Sequence, residues 1–227
     1  MNQKLTILFD LDGTLVNTAP DLMSAHNYVM KKYGYNEREL SAIKKLAWRG
    51  SKVMLTQSMH EIAELSGKIK KSNQEVEKMT KEFIDYYSKN ILKESSLKKG
   101  VLEFLSWCKN NSISMAVCTN KQELLSIDLL KKIKIYDFFE YVAGGNTFDY
   151  NKPNPKHLTD TIKIIGGDVK KTLMVGDSET DSNASKAANI PFVLLEDGYT
   201  EKKTNEIYHD HLIKDFVGIE KIIEKYL

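Results

Sequence analysis

The sequence predicts an α/β protein, a doubly wound parallel sheet interrupted after its first strand by a bundle of helices. Three observations carry that prediction. Short apolar runs alternate with amphipathic stretches through the second half of the chain, as in a parallel sheet with crossover helices. One such run, Leu5 to Phe9, stands apart at the start, followed from about residue 17 to 93 by helical periodicity alone. Several runs then end on carboxylates, hydroxyls and amides, which mark the carboxyl edge of such a sheet.

The elements follow in order. Thr18 can cap a first helix, Pro20 suits its opening turn and Gly34 follows its end; Leu22, His26, Val29, Met30 and Tyr33 form its apolar stripe. Asn36 with Glu39 reads as a capping pair for a second helix carrying Leu40, Ile43 and Leu46. Gly50-Ser51 breaks that helix, and a third runs from about Lys52 to Ser66, with Gly67 as its stop. Ser72 to Glu75 is a full capping box, opening a fourth helix with Val76, Met79, Phe83, Tyr86 and Tyr87 facing inward. The expected division is a core of residues 1–16 and 94–227, with a helical cap at 17–93.

Beyond the bundle, Gly100 precedes a helix with Val101, Phe104, Leu105 and Cys108. Ile113 to Cys118 is a strand ending in Thr119-Asn120-Lys121, followed by a helix from about Gln122 to Ile133. A weaker strand, Tyr141 to Ala143, leads to Gly144-Gly145, and Pro155 opens a helix closed by Gly166-Gly167. Thr172 to Val175 is a buried strand ending in Gly176-Asp177, and a helix from about Thr180 to Ala188 follows. Phe192 to Leu195 is the next strand; a short one near Leu212-Ile213 precedes a terminal helix.

The chain has 227 residues, 41% hydrophobic and 28% charged, an ordinary globular balance. A net charge of +2 gives no electrostatic case for nucleic acid or a membrane surface. Cys108 and Cys118 are too few for a disulfide framework and read as reduced core residues. Asp10 interrupts the first apolar run too early for a secretory leader, and no run is long enough to cross a bilayer. A soluble, cytoplasmic protein is expected, as a monomer or homodimer. His209 and His211 lack further ligands nearby and read as a solvated loop.

The chemistry concentrates in Asp10-Leu11-Asp12-Gly13-Thr14. Side chains at i and i+2 of an extended segment point the same way, so Asp10 and Asp12 face one pocket. Paired carboxylates repel unless a cation or a shared proton intervenes, an arrangement that suits a hard divalent metal. Thr119-Asn120 ends another strand, and Asp177 with Asp181 follows a third. Lys152 is stiffened by Pro153 and Pro155. Each has a plain explanation alone, as a helix cap, a turn or a surface lysine. Brought together at one sheet edge, they make a phosphoryl-transfer site.

These segments resemble, in order and spacing, the four motifs of the haloacid dehalogenase-like hydrolases, and the helical insertion resembles that family's first type of cap on a Rossmann-like core. The resemblance implies Asp10 as nucleophile, Asp12 as general acid and base, and Lys152 as the balancing cation. It implies Mg²⁺ on the Asp10 side chain, the Asp12 carbonyl and Asp177, with Asp181 in support, and phosphate bound by Thr119 and Asn120. The opening from Phe9 to Leu22, and Gly144 to Thr147, resemble the phosphoglycolate phosphatase-like subgroup, so a small-molecule phosphate ester is the implied substrate. Asn17, Asn154 and Asn189 depart from the usual residues; Asn189 can hold the left-handed conformation in place of glycine. Arg49 and Lys52, in a partial match to the usual cap loop, are candidates for an anion beyond the phosphate.

Two enzyme readings fit the sequence, a phosphatase of phosphoglycolate or another small metabolite, and a sugar phosphomutase, which Thr14 disfavours because valine is common there. Outside enzymes, a phospho-aspartate receiver would carry its acid on the third strand, without so large an insertion. A silent binding protein would not need every reactive position filled.

Overall fold

The computed structural model describes residues 4–47, 51–66 and 72–227, with only the backbone described at 51 and 60–66. The chain opens with β1 (Thr6–Phe9), followed by a two-residue strand β2 (Val16–Asn17). Four helices come next: α1 (Ala19–Lys32), α2 (Leu40–Ala47), α3 (Ser51–Ser66) and α4 (Asn73–Lys89). The return strand β3 (Ser96–Leu97) pairs antiparallel with β2, so the two links between insert and core form one short ribbon. Then come α5 (Val101–Asn110), β4 (Ser114–Cys118), α6 (Glu123–Lys132), β5 (Tyr141–Ala143) and α7 (Pro155–Ile164). The chain closes with β6 (Thr172–Gly176), α8 (Glu179–Ala188), β7 (Phe192–Leu195), β8 (His211–Ile213) and α9 (Glu220–Ile223).

Six strands form one sheet in the order β5-β4-β1-β6-β7-β8, and every pairing is parallel. Alternation along the strands divides the core between two faces. Ile7, Phe9, Met115, Val117, Leu173 and Val175 pack with α5 and α6, through Phe104, Leu105, Leu129 and Leu130. Leu8, Ala116, Cys118, Met174 and Phe192 pack with α7 and α8, through Leu158, Ile162 and Ala184. The sheet is thus doubly wound around β1, and the strand order reverses there. Loops after β4, β1 and β6 open side by side.

Within the insert, α1 packs on α2 and α4, and α3 packs on α4. Ser72 caps α4 with the reciprocal Glu75 bond, and Val76, Met79, Phe83 and Tyr87 are buried; the Tyr86 ring stacks on Tyr28. Three sequence expectations are corrected here. The helix starting near Asn36 begins instead at Leu40, because Asn27 takes the backbone of Arg38 through both its amide groups. Thr18 makes no side-chain cap, since its own backbone is already helical. His211 is not a solvated loop residue: it opens β8, and its Nε2 lies 2.8 Å from the Tyr226 hydroxyl. No helix among the described residues is long and apolar enough to cross a membrane.

Candidate active site

The three central strands deliver the site. Asp10 follows β1, Thr119 follows β4 and Asp177 follows β6, and all three are buried. Gly13 turns the chain away at φ +85°, and a side chain there would meet Asp177 Oδ2 at 2.2 Å. Gly176 similarly leaves room for Asp181, whose Cβ would lie 2.6 Å from an added methyl group.

Asp10, Asp177 and Asp181 each present an oxygen within 4.8 Å of the others. Lys152 enters this group with its Nζ 3.0 Å from Asp10 Oδ1 and 2.5 Å from Asp181 Oδ1. The other Asp181 oxygen accepts bonds from the Ser178 hydroxyl and from the backbone of Asp177 and Ser178, which close the start of α8. Asp177 accepts from the Thr14 hydroxyl at 3.0 Å and from the Tyr199 N–H at 2.6 Å. Three carboxylates against one ammonium leave an excess of negative charge in a buried place.

That excess is visible in the acidities. Burial pushes Asp10 up to about 6, with Lys152 pulling it back and Asp181 and Asp12 adding to the rise. Burial, then Asp10 and Asp181, hold Asp177 well above the usual carboxylate range. Burial opposes the charge on Lys152, yet Asp10 and Asp181 outweigh it and raise its pKa. An oxygen-only donor set that strains against its own charge fits a hard divalent cation, and Asp10, Asp177 and Asp181 are the residues to hold one.

Asp12 faces the same cavity as Asp10, where Thr119, Asn120, Lys121 and Lys152 also line the wall. Asn120 is fixed by donating its amide to the Lys152 carbonyl at 2.9 Å. The Lys152 N–H donates in turn to His157 Nδ1 at 3.1 Å, so α7 anchors the lysine's backbone. The wall from the insert includes Leu22, Ala47, Met54, Phe83, Ile84 and Tyr87.

The structure therefore brings Asp10, Asp12, Thr119, Asn120, Lys152, Asp177 and Asp181 to one strand-end cluster. Lys52 lies apart on α3, exposed, with its Nζ 3.5 Å from Glu77. Arg49 lies outside the described residues. Reading the sequence missed Lys121, Tyr199 and the site role of Tyr87. Lys121 donates to both Asp12 oxygens at 3.1 Å and to the Tyr87 hydroxyl at 2.8 Å. Tyr199 accepts from the Ala19 N–H and donates to Asn17, tying the loop after β7 to the root of the insert.

The haloacid dehalogenase-like hydrolase family matches residues 7–195, and the chain belongs to that family. A phosphoglycolate phosphatase of Mesorhizobium japonicum is 35% identical over 210 residues, covering 92% of this chain and 90% of that protein. One from Agrobacterium fabrum is 32% identical over 223 residues, covering 96% and 94%. The crystal structure of a predicted phosphoglycolate phosphatase from Haemophilus somnus superposes with a TM-score of 0.92 at 29% identity, covering 98% of this chain and 99% of that one. A β-phosphoglucomutase from Clostridium difficile shares the fold, with a TM-score of 0.78 at 21% identity over 98% and 97% of the two chains.

Proposed function

We propose that this phosphoric monoester hydrolase acts on 2-phosphoglycolate through a covalent phosphoryl intermediate on Asp10. The observation that carries the reading is Asp10 itself, held at the end of β1 between Lys152 and the Asp177–Asp181 pair, with Asp12 on the same cavity. A carboxylate oxygen of Asp10 attacks phosphorus as the bond to the leaving oxygen breaks. Asp12 serves as the general acid that delivers a proton to that oxygen. Asp12 then takes a proton from water, whose oxygen attacks phosphorus and releases the Asp10 carboxylate and inorganic phosphate. Lys152 offsets charge on Asp10 and the phosphoryl oxygens, and Thr119 with the Asn120 N–H donates to those oxygens.

Mg²⁺ is the proposed cofactor, held by Asp10, Asp177, Asp181 and the Asp12 carbonyl, and when bound it supplies charge neutralisation at the phosphoryl group. The insert, residues 17–93, serves as the cap that excludes water over the cavity. The choice of phosphoglycolate is supported by the relatives of that name. A cytoplasmic setting is supported by Cys108 and Cys118, both buried and unpaired.

The test is release of inorganic phosphate from a panel of phosphomonoesters with Mg²⁺ and with chelator. Mg²⁺-dependent release, highest with phosphoglycolate, is expected. Isomerisation of a hexose phosphate without release would favour a phosphomutase, and full activity in strong chelator would remove the metal from the account.

A further inference from the structure

Lys121 is a second cation in this cavity, and the Asp10 cluster does not use it. Its side chain is only 5% exposed, yet it lines the cavity wall beside Asp12. Its partners come from both halves of the molecule: Asp12 from the loop after β1, and Tyr87 from α4 of the insert. The ammonium also lies 4.3 Å from the Tyr87 ring centroid, so the ring supports the charge. The Tyr87 hydroxyl accepts from Lys121 and keeps its own proton, for which no acceptor stands among the described residues. Burial foremost, with Asp12 and Asp21 nearby, holds that hydroxyl well above the usual phenol range, so it stays a donor at neutral pH.

We propose that Lys121 and Tyr87 form a subsite for a carboxylate carried by the leaving alcohol. The proposal rests on the phosphatase reading above and names the residues that recognise the organic part of its substrate. A residue that protonates the leaving oxygen must come within roughly 3 Å of it. Lys121 Nζ lies 3.1 Å from the same Asp12 carboxylate, so a group next to the leaving oxygen comes close to it. In a phosphorylated 2-hydroxy acid the carboxylate is separated from the bridging oxygen by a single carbon. That spacing lets it reach Lys121 and the Tyr87 hydroxyl while the phosphoryl group stays with Asp10 and Lys152. The surrounding wall, Leu22, Met54, Phe83, Ile84 and Leu125, is apolar. It strengthens an ion pair by lowering the local dielectric.

The experiment compares phosphoglycolate with ethyl phosphate, an ester of similar size without the carboxylate, in the Mg²⁺-loaded enzyme. The native enzyme should prefer phosphoglycolate in kcat/KM. Lys121→Met should lose about 10²-fold on phosphoglycolate and clearly less on ethyl phosphate, the difference reporting one charged hydrogen-bonding contact. Lys121→Arg should keep part of the preference. Tyr87→Phe, which removes one oxygen from a packed ring, should lose selectively on phosphoglycolate too and reads the subsite even where Lys121→Met fails to fold. Equal losses on both esters would overturn the subsite, since Lys121 would then act only through Asp12. A native enzyme that hydrolyses ethyl phosphate as well as phosphoglycolate also overturns it, while leaving the phosphatase reading in place. No phosphate release from any ester overturns that reading first, and the subsite with it.

Discussion

Residue by residue, the site consists of carboxylates held away from the water that would normally stabilise them. Lys152 is the cation that makes Asp10 and Asp181 tolerable together, through contacts of 3.0 and 2.5 Å. Lys152→Ala should lower kcat by roughly 10²–10³, the range for removing one preorganised electrostatic donor. A near-normal rate in steady-state assays would contradict that role. His157 gives a pH signature that the catalytic acids do not share. Burial first, then Lys152, lowers its pKa to about 4, against 6.5 for an ordinary histidine. Between those values the unfolded chain binds a proton that the folded one refuses, so His157 makes stability fall as pH drops from 6.5 toward 4. Asp10 acts oppositely in that range, because its raised pKa lets the folded chain hold the extra proton. His157→Asn, which keeps an acceptor for the Lys152 N–H, should therefore lose less Tm than the native protein between pH 7 and 5. Identical pH dependence of the two melting curves would count against the buried neutral histidine.

At the scale of elements, the joint between insert and core is the part with mechanical consequence. Asp21, in the first turn of α1, accepts from the backbone of Lys93, Glu94 and Ser95 and from the Ser95 hydroxyl. One carboxylate on the outgoing helix thus fastens the returning chain beside the β2–β3 ribbon. Asp21→Ala leaves those backbone donors without it and should cost about 2–4 kcal/mol by denaturant unfolding; a loss within 0.5 kcal/mol, roughly the level of a neutral surface change, would show the clamp is idle. This joint was not legible in the sequence, because strands of two residues have no periodicity to read. The start of α2 was misread for a related reason: the side chain that decides it, Asn27, lies on another helix. By contrast, the apolar run Phe192 to Leu195 and the Ser72–Glu75 box appear as expected, since both signals are local. Asp10, Thr119, Lys152 and Asp177 were legible because each sits at a strand end or beside prolines. Lys121 was not, since its partner Tyr87 lies 34 residues earlier, in the insert, and its residue type is common on this surface.

For the whole molecule, the sheet order explains why residues far apart in sequence meet. The strand order reverses at β1, so the ends of β4, β1 and β6 open onto one crevice, the usual ligand position in such sheets. Binding a dication there should stabilise the entire fold, because the acids that would hold it, Asp10, Asp177 and Asp181, are far apart in the sequence. At about 100 times the dissociation constant, Mg²⁺ should add about 2.7 kcal/mol, readable as a higher Tm. Asp177→Asn should abolish most of that shift; an unchanged shift would place the metal elsewhere. Covalent catalysis at Asp10 has a more direct test in Asp12→Asn with an aryl phosphate, whose leaving group needs no protonation. Rapid mixing with Mg²⁺ should release one equivalent of phenol per enzyme in a burst. Acid quenching, digestion and mass spectrometry should then find a single phosphoryl group on the peptide carrying Asp10. Absence of a burst, or a phosphoryl group on any other residue, would contradict the account.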